Sequence, residues 1–367
     1  MHGMKIGRIK EHLSSFIIKG NRAAKKVLSA IVDAITAVIW IILWLPVAFS
    51  AAAAPSYYPE CTRKSAVQRV TENVAWVLRY HRANTFYTLY GLDVKGNNSK
   101  EYIDEKTFWK KLDAINYSHG LTSQTCLLRD KFLFYKYMHA NGFPVPEVFG
   151  VIRDGIYYTD TLEEHPISDL KEMDFFLKDA EGECASFVKH IKSCQEFEQV
   201  CKTLQRGTYV LQRAVCQVDA LDVLNPGAIN TLRIVTIKRE TGIQVLSPLL
   251  RIGTSHTGAV DNWAAGGLAV GVQSDGRLKK YALYKPGYGL KTAVHPDSGI
   301  AFEHFVIPFF KEACELAISA HRFFYNIGAI GWDIAITDNG PVFIEGNDNF
   351  EITLMQACDR PLKRELM

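Results

Sequence analysis

Residues 328–350 read GAIGWDIAITDNGPVFIEGNDNF, and this stretch decides the fold. Two apolar-alternating runs flank Asp338-Asn339-Gly340, the composition of a tight hairpin loop. With those three residues as the loop, Thr337 faces Pro341 and Asp333 falls across from Glu345. Asn347, two residues further on, projects from the same face as Glu345. An Asp, a Glu and an Asn carboxamide therefore converge on one patch of sheet. Paired carboxylates repel, and burying them costs more, so something positive must offset them. An all-oxygen set suits Mg2+, which takes a few carboxylates and then phosphate oxygens. Arginine pairing or loose solvation of Asp333 and Glu345 satisfies the same spacing, and a one-residue slip in register would break the alignment.

Outward from the hairpin, further strand pairs are signalled. Residues 231–238 and 244–251 flank Glu240-Thr241-Gly242, and 268–273 and 278–284 flank Ser274-Asp275-Gly276. Residues 145–152 and 155–159 flank Arg153-Asp154; 175–178 and 208–215 read as single strands. Helical spacing predicts helices over 66–89, 105–116, 128–140, 196–204 and 302–325. Helices first and hairpin-linked strands afterwards indicate an α+β fold with antiparallel sheets. Arg233 opens one strand and Arg251 ends the next, placed to clamp a phosphoryl group or an oxyanion. Between them and the next strand runs a polar, glycine-rich loop, GTSHTGAVDNWAAGG (253–267), of the kind that forms functional lids.

The 367-residue chain carries a net charge of +3, of which residues 1–26 hold +6 (seven Lys and Arg against Glu11), leaving −3 on the body. A body with an acidic balance argues against nucleic-acid binding. Residues 34–54 follow without a single charge, long enough as a helix to reach roughly 30 Å. Upstream, Ile6, Ile9, Leu13, Phe16 and Ile17 recur at helical spacing between lysines, the pattern of a helix lying on an anionic membrane surface. Three arrangements compete for the apolar run: a cleaved signal peptide, a full span, and a re-entrant anchor kinked at Pro46. A buried core helix is a poor fit to 21 uncharged residues. The eight cysteines include no CxxC pair, which leaves a zinc site or a disulfide framework unsupported and agrees with a reducing compartment.

The segments NPGAINTLRIVT (225–236), RIGTSHTGAVDNWAAGGLAVG (251–271), HPDSG (295–299) and GWDIAITDNGPVFIEGN (331–347) resemble the sugar-transfer associated ATP-grasp family. The resemblance covers about residues 120–360 and implies two α+β subdomains with antiparallel sheets gripping ATP. It divides the chain into an anchor (1–60), a helical region (61–125), and amino- and carboxy-terminal ATP-grasp subdomains (126–215 and 216–367). It implies that Asp333, Glu345 and Asn347 hold Mg2+, and that Arg233 and Arg251 serve the γ-phosphate and acyl phosphate. Lys131 and Lys178 match the two phosphate lysines, with Lys189 as an alternative for the second. Gln212 falls near the adenine hinge, and Asn262 with Gly266-Gly267 in the loop that closes over the site. One departure is the stretch 179–186, DAEGECAS, where the superfamily has a glycine-rich flap; three acids beside phosphates are unfavourable.

The activity implied is an ATP- and Mg2+-dependent carboxylate–amine ligase, acting on a glycan- or lipid-linked substrate, with its catalytic body on the cytoplasmic side of a membrane. A sugar or alcohol kinase on the same scaffold and a catalytically weak membrane adaptor are the competing readings.

Overall fold

The computed structural model describes residues 22–117, 123–166, 170, 174–182, 187–258 and 260–366, and only the backbone at 22–30, 32–34, 37 and 123. The basic segment 1–21 and residues 183–186 of the acidic stretch lie outside the described residues, as do several side chains of the apolar run. The chain divides into two compact units, Met1–Lys100 and Glu101–Met367.

In the first unit, helix α1 (Arg22–Ala53) continues without interruption through Pro46. It packs on α2 (Ala66–Tyr80), with Ala48, Val77 and Ala83 buried between Ile41, Trp44 and Val47. Ile31, Ile35, Val38, Ile39, Ile42, Leu43 and Phe49 are exposed. Among the described residues, no helix is long and apolar enough to cross a membrane. Helix α2 opens on a capping box between Ser65 and Gln68 and stops nine residues earlier than the expected Leu89. His81 turns left-handed (φ 54°) and its N–H caps Val77, after which the Asn84 side chain accepts from the Phe86 N–H and starts a run of turns.

The second unit begins with α3 (Glu105–Tyr117), a short turn (Cys126–Arg129) and α4 (Lys131–Ala140). The single helix expected over 128–140 is broken because Asp130 is extended and its carboxylate accepts from the Phe132 and Leu133 N–H groups. That break puts Lys131 at the first turn of α4. Strands β1 (Val148–Arg153), β2 (Ile156–Thr159), β3 (Glu164–His165), β4 (Phe175–Asp179) and β5 (Val188–Ile191) come next, then α5 (Cys194–Cys201) and β6 (Thr208–Arg213). They make an antiparallel sheet of order β3-β2-β1-β6-β4-β5. Alternation gives this sheet two cores: Phe175, Leu177, Tyr209 and Leu211 face Phe197 of α5, while Val148, Val151 and Val210 face Phe132 and Tyr135 of α4.

The remaining strands are β7 (Leu232–Arg239), β8 (Gly242–Ile252), β9 (Leu268–Val272), β10 (Leu278–Tyr284) and β11 (Lys291–Thr292). Helix α6 (Phe310–Phe323), strands β12 (Ala329–Thr337) and β13 (Gly340–Asn347), and α7 (Thr353–Cys358) complete the unit. The second antiparallel sheet has the order β11-β10-β9-β8-β7-β12-β13. The α+β class with antiparallel sheets is therefore as expected. One face of this sheet packs Ile234, Leu250, Ile330 and Trp332 against α6. Helix α6 starts at Phe310 rather than 302. The backbone of 302–309 bonds instead to the β9–β10 turn (Leu278 N–H to Phe305, Ile307 N–H to Gly276), and Phe309 is left-handed.

The hairpin corrects the expected loop by one residue. Thr337 pairs with Gly340, not Pro341, so the turn is Asp338-Asn339 alone. A β-bulge at Ile344 then shifts the register, and Asp333 still pairs with Glu345 and Gly331 with Asn347. The buried Asn116 side chain straps both ends: its Oδ1 accepts from the Gly328 and Ala329 N–H groups, and its Nδ2 donates to the Asp348 carbonyl.

Beneath the sheet, Trp332 Nε1–H donates to Thr236 Oγ1 (2.7 Å), Thr236 Oγ1 is 2.8 Å from His321 Nδ1, and His321 Nε2 is 2.9 Å from the Ile327 carbonyl. Donor supply makes Nε2 the protonated nitrogen and the ring neutral. Burial pulls its pKa down to about 4. Between that value and the ordinary ~6.5 the unfolded chain binds a proton that the folded chain refuses, so His321 withdraws stability as pH falls, by up to about 3 kcal/mol at pH 4. Thermal melts from pH 7.5 to 4.5 should therefore fall more steeply for the wild type than for His321→Gln, which is less stable at neutral pH; parallel slopes would refute the assignment.

Candidate functional site

The site grows from strand periodicity. On β7, Val235 and Ile237 share a face with Arg233; on β12, Ala329 and Gly331 share a face with Asp333. Away from the strand ends this face is apolar and covered by Phe108, Leu112 and Phe350. Toward Arg233, Asp333 and Glu345 it becomes charged. The backbone there is approached closely: a Cβ at Gly331 would lie 2.9 Å from Phe350, and one at Gly346 would lie 2.8 Å from Leu128.

Asp333 is buried at 1% exposure and lies directly across from both Arg233 and Glu345 in the strand register. Arg233 grips it with two bonds, Nε–H to Oδ1 at 2.5 Å and an Nη–H to Oδ2 at 2.9 Å. Arg251 adds a longer one to Oδ2, 3.2 Å. Burial alone would push the Asp333 carboxyl up, but the two guanidiniums outweigh it and hold it far below the usual carboxylate range. Burial raises the Glu345 carboxyl, and Asp333 beside it raises it further, against the pull of Lys131 and Arg251. Asp333 is thus the firmly charged member of the pair, while the charged form of Glu345 is disfavoured. Asn347 Nδ2–H donates to Glu345 Oε1 (3.3 Å).

The first sheet and helix α4 each supply one lysine. Lys178 Nζ donates to Gln212 Oε1 at 2.7 Å and lies over the Phe176 ring. Burial draws its pKa down to about 8, with Glu345 opposing the fall and Lys131 adding to it. Lys131 Nζ donates to the Gly182 carbonyl at 2.7 Å, and its charge is felt at Glu345. Glu345 thus lies within the fields of Lys131 at the start of α4 and Lys178 of the first sheet. Lys189 does not join them. It pairs with Leu177 on β5, which puts it on the face opposite Lys178, and it is exposed. Gln212 meets the site through its side chain, as the acceptor for Lys178.

The 253–267 loop is pinned at several points. His295 Nε2 is 2.9 Å from the Gly253 carbonyl, and Asp297 accepts from the Ser255 N–H and hydroxyl, both at 2.8 Å. Trp263 Nε1–H donates to the Leu283 carbonyl. Asn262 caps the short turn that follows it, its Oδ1 accepting from the Ala264 N–H. The charged member of this loop is its neighbour Asp261, buried and bonded to Arg251 at 2.7 Å, a contact absent from the sequence reading. Its signal was present: Asp261 is the lone acid between Arg251 and Gly267. Glu351, also overlooked, is pushed up by burial and lies within the fields of Lys285, Arg233 and Arg251.

For a divalent cation the donor set fits in chemistry. Asp333, Glu345 and the Asn347 carboxamide oxygen are all hard oxygen donors, and a carboxyl whose charged form is disfavoured by a neighbouring carboxylate is one that a cation would favour in that form. Among the described residues no group of three or more His, Cys, Asp or Glu side chains could hold a metal by itself. An ion here would need oxygens from a ligand as well.

Solved structures similar to this chain include N5-carboxyaminoimidazole ribonucleotide synthetase from Thermotoga maritima, at 18% identity over 68% of this chain and 49% of that one, with a TM-score of 0.36. L-amino acid ligase from Bacillus licheniformis matches at 12% identity over 61% and 42%, TM-score 0.36. D-alanine–D-alanine ligase from Bacillus anthracis matches at 11% over 60% and 57%, TM-score 0.36. The chain spans about half the length of these structures. No curated protein matches it. Residues 190–366 match the sugar-transfer associated ATP-grasp family.

Proposed function

We propose that the chain is an ATP- and Mg2+-dependent carboxylate–amine ligase working through an acyl phosphate. The observation that carries this reading is the Asp333–Glu345 pair, set among two arginines of its own sheet, Lys178 of the other sheet and Lys131 of α4. No side-chain nucleophile is required, because such a reaction is driven by positioning and charge neutralisation.

Mg2+, when bound, would neutralise negative charge that builds up on the phosphates during transfer. Asp333, Glu345 and Asn347 would hold it. Lys131 and Lys178 would carry the phosphate tail, and Gln212 orients the Lys178 ammonium. The substrate carboxylate oxygen attacks the γ-phosphorus as the bond to ADP breaks. Arg233 and Arg251 would hold the resulting acyl phosphate and then the oxyanion formed when the amine nitrogen attacks. The amine loses a proton and phosphate leaves. The pinned 253–267 loop would keep water from the acyl phosphate. In this reading the carboxylate or amine belongs to a glycan- or lipid-linked substrate of cell-surface polysaccharide assembly, and the body faces the cytoplasm, where ATP is.

Membrane attachment through residues 1–60 is part of the proposal. Its support is the exposed apolar stripe of α1, from Ile31 through Ile35, Val38 and Ile42 to Phe49, together with the basic residues ahead of it. Co-flotation of the full chain with vesicles containing anionic lipid, weakened in the Ile35→Glu, Ile42→Glu double variant, is the expected result. Equal flotation of both proteins, or none, would remove this part.

The ligase reading is tested by phosphate release from ATP across a panel of carboxylates and amines. Release should need both partners, and Glu345→Gln should cut it on the order of 100-fold. Release driven by a sugar or alcohol without any carboxylate would instead support the kinase alternative. Since Lys178 loses its proton near pH 8 in the free protein, affinity for a non-hydrolysable ATP analogue should decline as pH rises through that value. Lys178→Arg, charged throughout, should flatten the profile; an unchanged decline would exclude Lys178 as its source.

A further inference from the structure

Arg251 is shared unequally between two carboxylates. One Nη–H donates to Asp261 Oδ1 at 2.7 Å and the other to Asp333 Oδ2 at 3.2 Å. Asp261 is itself held on its second oxygen by the Thr231 N–H at 2.9 Å and by the Thr231 hydroxyl. The Thr231 carbonyl accepts from the Arg251 N–H, also at 2.9 Å, which closes a ring of three residues. Asp261 is 5% exposed. The guanidinium is therefore fixed from the loop side and only leans on Asp333, whose firm partner is Arg233.

This division matters when Asp333 has a second claimant. A guanidinium whose sole counter-charge was Asp333 would move onto it and compete with any cation for its oxygens. With Asp261 as its main partner, Arg251 keeps its place and its charge is already balanced. Resting on the reading of Asp333 and Glu345 as a divalent-cation site, we propose that Asp261 is the positioning residue for Arg251 and thereby sets how readily Asp333 yields to a divalent cation. The loop that carries Asp261 is thus linked to cation affinity through one side chain.

The test is a calorimetric Mg2+ titration of the full chain in the presence of a non-hydrolysable ATP analogue. Asp261→Asn keeps the shape and removes the charge; its Mg2+ half-saturation should rise about 10–100-fold. Asp261→Glu should recover part of the loss, because the charge returns. A purely structural Asp261 would lower the melting temperature and leave the Mg2+ midpoint unmoved, and an unmoved midpoint overturns the proposal. If Asp261→Asn does not fold, Thr231→Val loosens the same carboxylate and should shift the midpoint in the same direction; no shift there is equally fatal. A wild-type chain that ignores Mg2+ overturns the cation site and this inference together, whereas a responsive wild type with an unresponsive variant overturns the inference alone.

Discussion

Two carboxylates face each other across β12 and β13, Asp333 buried and Glu345 half-buried. The burden of that arrangement organises the rest of the second unit. Coulomb repulsion between buried like charges is severe at low dielectric, so the surrounding residues must supply the opposite sign at short range. They do so from several directions: Arg233 from the neighbouring strand, Arg251 from the strand after it, Lys178 from the other sheet and Lys131 from the start of α4. What remains of the burden falls on Glu345, whose charged form is disfavoured. Neither Asp333 nor Glu345 belongs in a stable core for its own sake, and this is why the pair reads as the functional centre.

The lysines reach that centre through local devices that have nothing to do with it. Asp130 breaks a helix and caps the next one, which sets Lys131 at its start. The alternation of β4 and β6 puts Leu177 and Leu211 into one core and leaves Lys178 and Gln212 on the other face. Asn116 ties the start of β12 to the end of β13, while Arg129 and Tyr117 hold the Asp348 carboxylate just beyond Asn347. Ordinary folding constraints thereby aim charged groups from separate elements at one point.

Much of this was legible in the sequence, and the parts that were not have physical reasons. Alternation of period two and the turn signal place Asp333 opposite Glu345, although the turn is one residue shorter than the tripeptide and the bulge at Ile344 makes up the difference. Helix ends were less visible: the left-handed turn at His81 and the extended backbone at Asp130 come from single residues inside runs whose apolar spacing continues past them. The start of α6 was hidden because the bonds of 302–309 run to a distant turn. Asp261 escaped notice because its partner Arg251 comes from a strand edge, and a pairing of that kind depends on the loop's path. Lys189 and Lys178 look alike in sequence and differ only in which face of the sheet their strand register assigns them.

The bulge at Ile344 makes the β12–β13 hairpin two ladders in series, with separate registers on either side of one extra residue. Counting inward from the turn gives one set of partners and counting outward from the carboxylates gives another. When relatives of this chain are compared, the turn is therefore the wrong fiducial mark. An alignment pinned on Asp338-Asn339 slips by a residue where the bulge is lost, whereas one pinned on Asp333 and Glu345 keeps the charged half in step whatever the turn has become.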